Sequence, residues 1–94
     1  MEVIYVVAYD IGDDGRRELV SAILGAHGAR VQLSVFECDL ASGEVVQALK
    51  ERLLSVLEPR EDQVRLYPLA EDAMRAMSIL GARRLEERQD FWIV

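Results

Sequence analysis

The sequence predicts an α+β domain in which one sheet is covered on one face by two helices. Three observations carry that prediction. Residues 2–9 (EVIYVVAY) are almost wholly β-branched, aromatic or small apolar, as in a strand buried on both faces at the centre of a sheet. Two later stretches, 14–26 and 43–57, space their apolar residues at the helical period. Beyond the second of them VRLYPL, residues 64–69, reads as a further strand.

The elements follow in order. Asp13 or Asp14 can cap the first helix, with Leu19, Val20, Ile23 and Leu24 on its inner face and Gly28 closing it. GARVQLSVFECDL, residues 28–40, sets Val31, Leu33 and Val35 against Arg30, Gln32, Ser34 and Phe36, and periodicity alone makes it one half-buried strand. Ser42 caps the second helix, Glu44 suits its first turn, and Val46, Leu49, Leu53, Val56 and Leu57 fall at core spacing before Glu58-Pro59 ends it. In VRLYPL, Pro68 marks an edge or a strand end. MRAMSILG, residues 74–81, is expected to form another short strand.

The charged ARRLEERQD is not expected to pack, yet it leads into FWIV at 91–94, four large apolar residues that are costly to leave in water. They must dock somewhere. Strand, helix, strand, helix and strand, with extra strands late, give an α+β sandwich of ferredoxin-like type whose open face is apolar. A single domain over 1–82 and a tail over 83–94 describe the chain, with no internal repeat.

A domain of 94 residues buries only about 60 to 65% of its unfolded surface. With 51% of residues apolar, some apolar surface is expected to lie against a second copy of the chain. The net charge of −6 excludes a protein that coats nucleic acid nonspecifically, so nucleic-acid contact has to be local. One cysteine, Cys38, fits a reducing compartment, with the cytoplasm as default. MEVIYVVAY lacks a basic n-region, and no apolar run approaches the ~18 residues that span a bilayer, so neither export nor membrane insertion is expected.

The chemistry concentrates in VVAYDIGDDGRR, residues 6–17. Arg16 and Arg17 lie in the first turn of a helix, where the dipole is already positive. Either the neighbouring aspartates or an external anion such as phosphate must offset them. Asp10 follows a wholly apolar strand, so its carboxylate is expected to be partly buried, with a raised pKa unless a cation compensates. One carboxylate is a poor cage for a divalent metal, but two copies at a two-fold axis supply a pair, and magnesium accepts a few carboxylates with waters. An aspartate in this position is otherwise a helix cap or a turn former.

Tyr9-Asp10-Ile11, arginines six and seven residues past that aspartate, G-x-R-V-Q-x-S-V-F-E from Gly28 to Glu37, and V-R-L-Y-P-L together resemble the small CRISPR-associated protein of the Cas-two family. That protein is the minor partner of the pair that acquires new spacers in immunity against foreign nucleic acid. The resemblance covers almost the whole chain. It implies a ferredoxin-like βαββαβ fold, a homodimer joined through its sheets, and an additional C-terminal strand crossing onto the partner's sheet, which gives FWIV a destination. It also implies two short strands within 28–40, with a tight turn near Leu33-Ser34, against the periodicity.

In such a family the aspartate ending the first strand binds magnesium, and it maps onto Asp10. The resemblance implies a metal-dependent endonuclease for single-stranded RNA or double-stranded DNA, or else a noncatalytic adaptor bridging dimers of the larger integrase subunit while binding duplex DNA. In the nuclease reading two Asp10 side chains hold Mg2+, which polarises a phosphate oxygen and lowers the pKa of a bound water. Arg16 or Arg17, with Arg30, positions the backbone, Phe36 stacks on a base or sugar, Ser34 and Gln32 donate hydrogen bonds, and Tyr9 supports them.

Plainer roles stand beside these. Arg30 suits the polar face of a strand, Phe36 the dimer core, Tyr9 packing, and Cys38 a small core site. His27 falls at a helix C-terminus, where a cation is favourable, and general base is its less favoured role. No residue outside Asp10 is an obvious base, which keeps the adaptor open; there Arg16, Arg17, Arg83 and Arg84 touch phosphates. A generic ferredoxin-like regulatory dimer leaves the YDI and SVFE motifs unexplained.

Overall fold

The computed structural model describes residues 3–81. They form β1 (Val3–Asp10), α1 (Asp14–Gly25), β2 (Gly28–Gln32), β3 (Val35–Leu40), α2 (Gly43–Val56), β4 (Gln63–Leu69) and α3 (Glu71–Ala76). The strands make one sheet in the order β2-β3-β1-β4, antiparallel throughout. The α+β class read from the sequence is found, and the apolar run at the N-terminus is an inner strand. FWIV and the tail over 83–94 lie outside the described residues.

Alternation along β1 and β3 builds the core. Val7 and Tyr9 of β1, with Phe36, Cys38 and Leu40 of β3, meet Val20, Ile23 and Leu24 of α1 and Leu49 and Leu53 of α2. Burial of each such large side chain contributes about 1.5 to 3 kcal/mol. Leu19, expected on the inner face of α1, is instead 55% exposed. Three helical neighbours already fill the stripe, and Leu19 falls just outside it.

The two caps form as the residue types require. Asp13 is the N-cap of α1, its carboxylate accepting from the Arg16 N–H at 2.9 Å. The Ser42 hydroxyl accepts from the Val45 N–H at 3.2 Å at the start of α2.

Residues 28–40 are two strands with a turn at Leu33-Ser34, as the family resemblance implied and the periodicity did not. Between Arg30, opposite Phe36, and Gln32, opposite Val35, the register shifts and Val31 is the extra residue. That bulge and the turn reverse the expected phase: Val31 and Leu33 are exposed while Phe36 is buried. Gly28, expected to close α1, belongs to β2 opposite Cys38. Its role is close approach, since a Cβ there would lie 1.9 Å from the Glu37 carbonyl oxygen.

The strand expected over 74–81 is absent. Residues 71–76 are helix α3, and residues 77–80 have no regular structure. Glu71 and Asp72 in the first turn and Arg75 in the last match the helix dipole, and Ala73, Met74 and Ala76 are compatible with a helix.

One long-range clamp fixes the loop after β1. The Asp62 carboxylate, with its side chain fully enclosed, accepts from Arg16 Nε at 2.7 Å and from Arg16 Nη2 at 3.2 Å. It also accepts from the backbone N–H groups of Gly12 at 3.1 Å and Glu58 at 2.9 Å. Arg16 reaches Glu61 as well, at 3.0 Å. The Arg16 hydrogen bond, aided by those backbone donors against the effect of burial, holds the Asp62 carboxyl well below the usual carboxylate range.

Gly28→Ala is expected to cost about 3 kcal/mol, because the β2–β3 pair must open to admit a methyl group; urea unfolding measures it. For Asp62 the folded pKa is depressed, so its stabilisation is complete above its ordinary value of 3.8 and is lost as pH falls toward the folded value. Asp62→Asn should therefore lower the thermal midpoint by several degrees at pH 7. The gap to wild type should close as scans are taken at progressively lower pH.

Candidate functional site

The predicted residues divide between two sides of the sheet. Tyr9 takes a core position on the helix side, its hydroxyl donating to the Leu33 carbonyl at 3.2 Å. Asp10, one residue on, therefore belongs to the opposite face at the end of β1, where it is exposed rather than partly buried as expected. Gly12, two residues later, is held by Asp62, so the strand end that carries Asp10 is fixed from behind.

Asp10 forms no ion pair among the described residues. No group of three or more His, Cys, Asp or Glu among them could hold a metal ion. At this strand end a single chain thus offers one carboxylate, and magnesium accepts few carboxylates when waters and substrate phosphate complete its shell. Asp10 fits that role as a single ligand, and a second copy of the chain would bring the other.

On the helix side the structure gathers Tyr9, Arg17, Ser21, Arg30 and Ser34 around a cavity of about 640 Å³, which Asp14 and Glu18 also line. Arg30 donates to the Ser21 hydroxyl, and its guanidinium carbon lies 5.4 Å from the centre of the Phe36 ring. Phe36 is 3% exposed and packs 6.3 Å from Tyr9, centre to centre. Its ring is enclosed within this subunit, beneath the Arg30 guanidinium. Gln32 is exposed on the edge strand β2, on neither side of the Asp10 strand end.

The two arginines of α1 are offset differently. Arg17 pairs with Asp14 at 2.5 Å, the local aspartate reading. Arg16 is bound by Glu61 and Asp62, two acids the sequence reading did not single out. Of the pair, Arg17 is the one that lines the cavity. Cys38 is fully buried, and burial pushes its thiol pKa up, as suits a core residue rather than a nucleophile.

A second polar set was missed entirely. Gln63 lies opposite Asp10 and Arg65 opposite Ala8 in the β1–β4 register, with Tyr67 opposite Val6. Arg65 Nε donates to Gln63 Oε1 at 2.9 Å, and Arg65 Nη1 donates to the Tyr67 hydroxyl at 3.1 Å. The period-two spacing of QVRLY was the available signal.

Residues 2–77 match the family model described as CRISPR associated protein Cas2. The chain is similar to "CRISPR-associated endoribonuclease Cas2 3" of a Synechocystis species, at 41% identity over 83% of this chain and 84% of that protein. It is similar to "CRISPR-associated endonuclease Cas2 2" of Thermus thermophilus, at 37% identity over 97% of this chain and 96% of that protein. The crystal structure of the hypothetical protein TT1823 from Thermus thermophilus superposes with a TM-score of 0.78 at 38% identity, covering 90% of this chain and 98% of the other. On these likenesses the chain belongs to the CRISPR associated protein Cas2 family.

Proposed function

We propose that this chain is a magnesium-dependent endonuclease of CRISPR spacer acquisition, cutting single-stranded RNA, double-stranded DNA or both. Its working form is a homodimer of ferredoxin-like subunits. The observation that carries the reading is Asp10, an exposed carboxylate without an ion-pair partner among the described residues, at the end of an apolar strand whose following loop is clamped. The names of the two relatives, an endoribonuclease and an endonuclease, support the same chemistry.

The dimer draws support from the face opposite the helices. Ile4 and Val6 of β1, Val35 of β3 and Leu69 of β4 stay partly accessible there, although they are apolar. Ile79 and Leu80 beyond α3 are 77% and 94% exposed. A second subunit covers such surface. In that dimer the two Asp10 side chains would hold the magnesium ion, which would supply charge neutralisation at phosphate and an acidified water. Arg17 and Arg30, on the helix side, contact flanking phosphates of the same strand rather than the scissile one. A larger integrase subunit is the expected partner in the cytoplasm.

The test is cleavage of labelled RNA and duplex DNA by wild type and Asp10→Asn, each with magnesium and with chelator. Asp10→Asn should lose at least about 100-fold in rate while keeping its thermal midpoint, the scale set by removing a preorganised electrostatic contribution. Cutting that survives in the variant points to another centre. A wild type that never cuts, yet supports spacer integration with the larger subunit even as Asp10→Asn, establishes the adaptor role instead.

A further inference from the structure

β4 carries the one sequence run, VRLYPL, whose polar side chains the Asp10 centre leaves unused. Val64 and Leu66 pack on the core, so Gln63, Arg65 and Tyr67 point to the other face, the face of Asp10. The register puts Gln63 directly opposite Asp10, and Arg65 two positions along is its diagonal neighbour. Diagonal neighbours on one face lie about 7 to 8 Å apart, within reach of an arginine.

Arg65 is built into place rather than left to wander. Gln63 and Tyr67 hold its Nε and Nη1, and its other guanidinium N–H groups are not used by these two bonds. Among the described residues it has no ion-pair partner, whereas Arg16 and Arg17 are paired with carboxylates. Arg30 lies over Phe36 on the helix side. Arg65 is thus the preoriented cation without a paired acid on the face that carries Asp10. On the same face Ile4 stands opposite Leu69 at the far end of the β1–β4 pair, and Val35 stands opposite Ala8 in the row of Arg65.

We infer that Arg65, held by Gln63 and Tyr67, is the residue that binds a nonbridging oxygen of the phosphodiester presented at Asp10. The inference rests on the Asp10-centred reading of the function. Its chemistry is the usual guanidinium–phosphate match: a planar fork with donors to spare meets an anion that a carboxylate alone would repel. The same contact orients the substrate and offsets the negative charge of Asp10 and of the acidic chain around it.

The test uses the full chain as wild type, Arg65→Gln, Arg65→Lys, Tyr67→Phe and Asp10→Asn. Binding of labelled single-stranded RNA and duplex DNA is titrated in chelator over a salt series, and cleavage is followed separately with magnesium. Arg65→Gln should weaken binding about 10-fold or more, the scale of a lost charge-assisted hydrogen bond, and reduce the salt slope by about one. Arg65→Lys should fall between, and Tyr67→Phe should lose a few-fold with the slope unchanged, because the charge remains. Thermal midpoint and mass by light scattering should not move. Binding by Arg65→Gln equal to wild type overturns the inference, as does lost binding accompanied by a changed mass or midpoint, which makes Arg65 an interface residue. Wild-type binding too weak to titrate also overturns it. Cleavage by Asp10→Asn at the wild-type rate, with Arg65→Gln weakened, removes the Asp10 reading and leaves the Arg65–phosphate contact standing.

Discussion

The period-two alternation of β1 decides where everything else can go. Val7 and Tyr9 must face the helices, because that is where Leu24, Leu49 and Phe36 exclude water. Asp10 is then obliged to face the other way, and no rotamer change can bring it to the helix side. The same constraint runs through the neighbouring strand, where Val64 and Leu66 go inward and Gln63, Arg65 and Tyr67 go outward. A single inserted residue in either strand would exchange the two faces and scatter the polar groups.

Charge is distributed with a matching logic. The chain is acidic overall, yet its enclosed carboxylate, Asp62, is fully supplied with donors from Arg16, Gly12 and Glu58. Removing charge from water costs least when each lone pair finds a partner, and here one carboxylate ties three separate segments. Arg16 is consumed in the process, held by Asp62 and Glu61. Arg30 and Arg65, on opposite sides of the sheet, form no ion pair among the described residues.

Much of this was legible in the residues. The apolar β1, the helical stripes, Ser42 as a cap and the VRLYPL strand each carry a local signal strong enough to survive packing. What escaped depends on contacts remote in sequence. Arg16 and Asp62 are 46 positions apart, so the clamp has no local trace. The bulge at Val31 shifted the apparent phase of residues 28–40, and only the resemblance to known relatives exposed the turn. At 74–81 the apolar residues suggested a strand, while the acid–base polarity of 71–75 was the better guide to a helix. Arg65 was visible as a residue but not as a site, because its significance comes from the strand opposite.

Cys38 has a quieter implication. Its sulfur is sealed between β3 and α1, within 3.9 Å of the Leu24 carbonyl oxygen, and its thiol resists ionisation. Alkylating reagents in the bath can reach it only when β3 parts from the helix above. The lone sulfur is therefore a native gauge of breathing: its modification rate counts the excursions of the closed molecule, with no label or reporter added.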